Sequence, residues 1–248
     1  MSSFWDEQRK KIGEVSLNSF RLDSTIRQIP LFEVKEYKEY TDHARNFKGK
    51  DYDWYYAMTQ GKKGYGSSRN GFGSNSTLFF EDSVLVDGYR FSKHALKSFH
   101  HYNTYEVNTH KRINDFDRII ELGGGAGDFA RFVLEMGYTG DYIIYDLPEI
   151  SRVQRFNLEG FNVRCTSNYS LPRNRVENTL FVSTWALSEC PLDVRQQFLQ
   201  NNPAPNHLII YQKRIFGVDN EEYFKSWEGK RIDIPWIPWD GGSKYLIK

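Results

Sequence analysis

The residues with the clearest capacity for chemistry are Glu121-Leu122-Gly123-Gly124-Gly125-Ala126-Gly127-Asp128, a carboxylate and a run of glycines between the apolar stretch 118–122 and the amphipathic stretch 128–137. A strand ahead and a helix behind give a glycine pattern the context it otherwise lacks. Glycines at such a turn let the backbone approach a ligand closely. A dinucleotide loop uses that approach to seat a pyrophosphate on the helix N-terminus. Here Glu121 stands at the base of the turn. Its charge repels phosphate and suits a cationic ligand. The competing reading is a purely structural strand-to-helix turn.

The elements that must position this turn follow from hydrophobic pattern. From residue 118 onward short apolar runs alternate with amphipathic segments: RIIEL, DFARFVLEMG, DYIIYDL, EISRVQRFNLEG, FNVRC, NTLFVST, LDVRQQFLQNN, HLIIYQK and a helix near NEEYFKSW. Strands that are apolar throughout and separated by helices predict a parallel sheet covered on both faces. RIDIPWIPW and KYLIK, joined around Asp240-Gly241-Gly242, predict a closing antiparallel hairpin. The expected fold is therefore α/β, a Rossmann-like, doubly wound and mostly parallel seven-stranded sheet. Upstream, 4–50 is charged with a helical pattern, and 61–77 has loop composition, a lid or a linker. Residues 82–107 predict a short extended segment and then a helix from about Ser92. The division expected is a helical extension, 1–110, that helps to shape an acceptor site, and a ligand-binding domain, 111–248.

With strand, glycine turn and helix in this order, E-x-G-G-G-x-G resembles the first motif of the class I S-adenosylmethionine-dependent methyltransferases. Asp146-Leu147-Pro148-Glu149 after the second strand is shared with small-molecule O-methyltransferases and with a group of bacterial sugar O-methyltransferases. Phe181 to Glu189 (FVSTWALSE) and His207 to Asn220 (HLIIYQKRIFGVDN) also resemble that sugar group. The resemblance covers about 118–248.

The resemblance implies S-adenosylmethionine as cofactor, with S-adenosylhomocysteine as product, and transfer of a methyl group to a sugar hydroxyl on a nucleotide sugar or a glycan. Methylation of a small phenol or amine, and a non-catalytic protein that only binds the cofactor, are the alternatives. By position, Glu121, Gly123, Gly124, Gly125 and Gly127 would meet the amino acid end of the cofactor. Asp146, with Leu147 beside it, would accept hydrogen bonds from the ribose hydroxyls, unless it is the N-cap of the next helix. The adenine would lie near Thr166, Ser167 and Asn168, although a turn explains Asn168 equally well. Thr184 and Trp185 would face the methyl group and its acceptor.

Transfer to a hydroxyl needs alignment and a base. Glu189, soon after the fourth strand, is the first candidate, against a helix-terminal or ion-paired acid. His101, one of the three histidines His94, His100 and His101 on the helix ahead of the sheet, is the second. His207 begins its strand and so belongs to the opposite rim. No metal is expected, since Ser183, Thr184, Gln212 and Lys213 stand where some sugar methyltransferases carry carboxylate ligands; Glu189 and Asp193 are the acids that keep a metal site open as the alternative. Asp219 with Glu222 reads as a capping box, and Trp236 and Trp239 as either a sugar platform or core.

Composition removes other classes. Lys and Arg number 33 against 32 Asp and Glu, so no global charge draws the chain to nucleic acid or membrane. Cys165 and Cys190 are too few and too far apart for a zinc site or a disulfide framework and are expected to be buried thiols. The polar N-terminal residues and the lack of a long apolar run predict a cytoplasmic protein. A homodimer, if formed, is expected to use the aromatic N-terminal helices.

Overall fold

The computed structural model describes residues 83–86, 89–168, 177–234 and 242–248. The stretches 4–50 and 61–77, Trp236 and Trp239, and most of the proposed 1–110 extension lie outside them. The described chain begins with an antiparallel hairpin, β1 (Ser83–Val86) and β2 (Tyr89–Ser92), that leads into α1 (Lys93–Thr109). Next come β3 (Arg118–Leu122), α2 (Asp128–Glu135), β4 (Asp141–Tyr145), α3 (Pro148–Asn157) and β5 (Val163–Thr166). β6 (Thr179–Thr184), α4 (Ala186–Glu189), α5 (Leu192–Asn201) and β7 (Asn206–Gln212) follow. The chain closes through the short β8 (Arg214–Ile215) and β9 (Val218–Asp219), α6 (Asn220–Phe224), β10 (Lys230–Ile234) and β11 (Ser243–Ile247).

Seven strands form one sheet in the order β10-β11-β7-β6-β3-β4-β5. β11 runs antiparallel to β7 and β10, and the other pairings are parallel. This is the Rossmann-like, mostly parallel seven-stranded sheet expected from the alternating pattern. Among the described residues no helix is long and apolar enough to cross a membrane.

The apolar strands make sense in this sheet because both faces are covered. Successive residues point to opposite sides: Ile119, Leu180, Val182, Leu208 and Ile210 join the core beneath α1 and α2, whereas Ile120, Phe181, Ile209 and Tyr211 join the core beneath the opposite helices. α1 belongs to the first core, with Phe99 and Tyr102 edge-on to Phe132 of α2. Phe132 has no solvent exposure, and removing such a ring typically costs about 3–5 kcal/mol. α6 starts as its sequence predicts, with the Asp219 carboxylate accepting from the Glu222 amide at 3.1 Å.

Two expectations need adjustment. The segment before α1 is a two-stranded hairpin. Cys165 and Cys190 are free but only half-buried, at the margins of the two cores; burial still pushes their thiols up, to about 11 and about 12.

Candidate functional site

The strand order itself locates the site. The chain passes outward from β3 to β4 and β5, then returns to place β6 on the other side of β3. Crossovers therefore diverge between β3 and β6, and in open α/β sheets the crevice outside the strand ends at such a switch point takes the ligand. The glycine turn after β3 and Trp185 after β6 flank that crevice.

Three backbone amides of the turn are tied down. The Gly123 amide donates to the Tyr145 carbonyl at 2.8 Å, the Gly127 amide to the Gly124 carbonyl at 2.9 Å, and the Gly125 amide to Asp146 Oδ2 at 3.2 Å. Gly123, Gly125 and Gly127 have φ of +75°, +55° and +91°, and Gly127 is the N-cap of α2. Gly123 also leaves no room for a side chain: a Cβ there would stand 2.0 Å from the Ala186 Cβ. A Cβ on Gly125 would meet nothing within 4 Å among the described residues, which leave this part of the turn open.

Glu121 lies directly beneath, so close that a Cβ on Gly124 would touch its carboxyl. The side chain is 1% exposed. Tyr142 OH donates to Oε2 at 2.9 Å, while the buried Oε1 has no partner among the described residues. Burial pushes this carboxyl up to about 8; the Tyr142 hydroxyl opposes the shift, and the charges of Asp146 and Asp128 add to it. An acid buried with one open acceptor oxygen beneath a glycine turn is matched to a cationic or hydrogen-bond-donating group, such as an ammonium, which has donors only.

Asp146 follows β4, the neighbouring strand. Its Oδ1 accepts from the Leu147 amide at 2.8 Å, and its Oδ2 accepts from Gly125 and from Gln154 Nε2, the latter at 2.8 Å. The N-cap of α3 is Leu147, so the capping alternative for Asp146 is not what the structure adopts. Its carboxyl sits deep, and burial raises it to about 7 against those hydrogen bonds, with the Glu189 charge contributing. Leu147 is part-exposed at the same rim. Asn168 is exposed just past β5, one strand farther out, and its amide donates to Thr166 Oγ1 at 3.1 Å.

Across the crevice, Thr184 ends β6 part-buried, and Trp185 turns the chain with φ +72°. A bulky residue in that region is strained, and such strain persists where the surroundings impose it. The surroundings are specific: Lys97 Nζ stands 4.6 Å from the Trp185 ring centroid, His101 lies edge-on at 5.7 Å, and Trp185 Nε1 donates to Ser243 Oγ at 3.5 Å. His101 is buried with Nδ1 2.7 Å from Tyr245 OH. Burial, with His100 and Lys97 adding repulsion, holds its imidazole well below the ordinary range and therefore neutral. His100 packs nearby against Tyr245; His94 belongs to α1, but its side chain lies outside the described residues.

Glu189 ends α4. Its Oε1 accepts from Gln212 Nε2 at 3.0 Å, so a carboxamide and not a cation is its described partner. Burial raises its carboxyl against that hydrogen bond. His207 is buried at the start of β7, on the far rim, bonded through its backbone to Lys248. The structure thus gathers Glu121, the glycine turn and Asp146 on one side of the switch point, and Thr184, Trp185, His101 and Glu189 on the other. Asp193 is exposed at the start of α5.

No protein-family model matches the sequence, and no curated protein matches it. Solved structures with a related fold include a SAM-dependent methyltransferase from Leishmania major, at 14% identity over 62% of this chain and 72% of that one, TM-score 0.45. PigF with SAH is 12% identical over 63% of this chain and 58% of that one, TM-score 0.40. The plantazolicin methyltransferase BpumL, in complex with SAH and a desmethyl-plantazolicin analogue, is 14% identical, TM-score 0.36. That match covers 48% of this chain and only 46% of the plantazolicin enzyme. At such identities the likeness is one of fold alone, and the site stands on its own geometry.

Residues that sequence reasoning did not single out are Gln154, Asn157, Lys97 and Tyr245. Gln154 carries the one legible signal, a carboxamide on the buried face of α3 among Ile150, Ser151 and Val153.

Proposed function

We propose that this chain binds S-adenosylmethionine across the switch point and transfers its methyl group to a sugar hydroxyl. The observation that carries the reading is Glu121, buried beneath the glycine turn with Oε1 open, beside a turn that the described residues leave open at Gly125. Glu121 would hold the ammonium end of the cofactor, the glycine turn would lie against its backbone, and Asp146 would meet the ribose. When bound, the cofactor supplies an electrophilic methyl group on a sulfonium and leaves as S-adenosylhomocysteine.

The remaining chemistry belongs to the chain. Glu189, raised by burial, is a stronger base than an exposed glutamate and takes the proton of the acceptor hydroxyl on its carboxylate. His101, neutral and tied to Tyr245, is the second base. Glu189 and Lys213 are part-exposed polar groups at the same rim, suited to a hydroxylated acceptor, with the buried Trp185 and Tyr245 rings packed behind them. The motifs shared with sugar O-methyltransferases support the same choice.

The test is incubation of purified protein with methyl-labelled S-adenosylmethionine and separate panels of nucleotide sugars, phenols and amines. Label on a sugar is expected. Label on a phenol or amine alone contradicts the acceptor class, and binding of the cofactor without transfer to any panel contradicts catalysis.

A further inference from the structure

The glycine turn is stapled to α3 as well as to Asp146. Gln154, with no solvent exposure, donates from Nε2 to the Gly125 carbonyl at 2.9 Å and to Asp146 Oδ2 at 2.8 Å. One helical step on, Asn157 Nδ2 donates to the Ala126 carbonyl at 3.1 Å. The carboxamide orientation of Gln154 is dictated by its surroundings, since two acceptors face Nε2. That leaves Oε1 buried with no partner among the described residues. A buried acceptor without a donor opposes folding, so the two bonds from Nε2 are kept at the expense of Oε1, and an apolar residue here would instead strand the Gly125 carbonyl and Asp146 Oδ2.

We propose that Gln154 is the positioning residue of the cofactor site, joining Asp146 and the Gly125 peptide into one rigid frame that presents Asp146 to a ribose diol. The inference rests on the functional reading above and deepens it. Asp146 Oδ2 already accepts from both Gly125 and Gln154, whereas Oδ1, among the described residues, accepts only from Leu147. Gln154 thus dictates which oxygen lobe stays open to an incoming hydroxyl. It also holds the Gly125 carbonyl and, through the carboxylate, the Gly125 amide. A ligand that meets this frame has less ordering to do on binding.

The experiment compares S-adenosylhomocysteine with its 2′,3′-dideoxy analogue by calorimetry, on wild type, Gln154→Leu and Gln154→Glu. Failure of wild type to bind S-adenosylhomocysteine overturns the functional reading itself. If wild type binds, Gln154→Leu is expected to weaken S-adenosylhomocysteine about tenfold or more, the size of a lost hydrogen bond to a charged group, and to change the dideoxy analogue much less. In an Asp146→Asn background the same substitution should have little further effect. Equal weakening of both ligands shows that Gln154 only supports the fold and overturns the inference, as does affinity within twofold of wild type. Should Gln154→Leu not fold, Gln154→Glu decides: it keeps the volume and sets a second carboxyl against Asp146. Binding is then expected to be weaker at pH 8 than at pH 6, relative to wild type at each pH; a pH-independent ratio overturns the inference.

Discussion

Gly123 and Gly125 belong to one turn and share positive φ, yet substitution should separate them sharply. An alanine at Gly125 meets nothing within 4 Å among the described residues, so its cost is set by the left-handed backbone, about 1–2 kcal/mol. In a chain of this size that lowers the melting temperature by roughly 2–8 °C. An alanine at Gly123 carries the same strain and drives its Cβ to 2.0 Å from the Ala186 Cβ. Overpacking adds about 1–3 kcal/mol, for a total of roughly 2–5 kcal/mol. The new methyl group on Gly125 occupies the space through which a ligand reaches the backbone. Gly125→Ala should therefore be the milder variant in a melt followed by circular dichroism, and should still bind S-adenosylhomocysteine at least about tenfold more weakly, or about 1.4 kcal/mol. Wild-type affinity in Gly125→Ala would refute the placement of the ligand against this face. A lower melting temperature for Gly125→Ala than for Gly123→Ala would refute the packing argument.

Three other outcomes can be measured. Glu121 and Asp146 are raised to about 8 and about 7, so across about pH 4.5 to 8 the native chain keeps protons that the unfolded chain has lost; their contribution favours the fold at the acid end and is lost as pH rises. Glu121→Gln should flatten this slope in melts between pH 5 and 8, and an unchanged slope would contradict a neutral Glu121. Glu189→Gln should leave S-adenosylhomocysteine affinity intact and lower turnover by about 10²–10⁴-fold; unchanged turnover assigns the proton to His101. Arg195 is fully buried, with no carboxylate against it among the described residues, and donates to the Ser188 and Cys190 carbonyls and to Asn220 Oδ1. Arg195→Met should cost roughly 3 kcal/mol or more in denaturant unfolding by stranding those acceptors, and a loss below about 1 kcal/mol would show that water replaces the guanidinium.

Much of the fold was legible because its elements announce themselves locally. Apolar runs such as 118–122 and 142–145 can persist only where both sheet faces are covered, and helices cover both. Asp219 caps its helix through contacts within three residues. The site is legible where its chemistry is sequential, as in the turn that joins Glu121 to Gly127. It is hidden where contacts are distant: His101 meets Tyr245 from 144 positions away, and Gln154 reaches back 29 positions to Gly125. Asp146 illustrates the intermediate case, since its place at a strand end is local, but whether it caps α3 or turns to the glycine loop depends on the packing of both. The φ of +72° at Trp185 has no local signal, because neither glycine nor asparagine marks it.

The most direct test of the central claim is calorimetric titration of the purified protein with S-adenosylhomocysteine beside NAD. Saturable binding of S-adenosylhomocysteine alone, lost in Asp146→Ala, is the result expected from a carboxylate-based site at this switch point. Binding of NAD, or of neither ligand, would contradict it and leave the glycine turn as a structural link between β3 and α2.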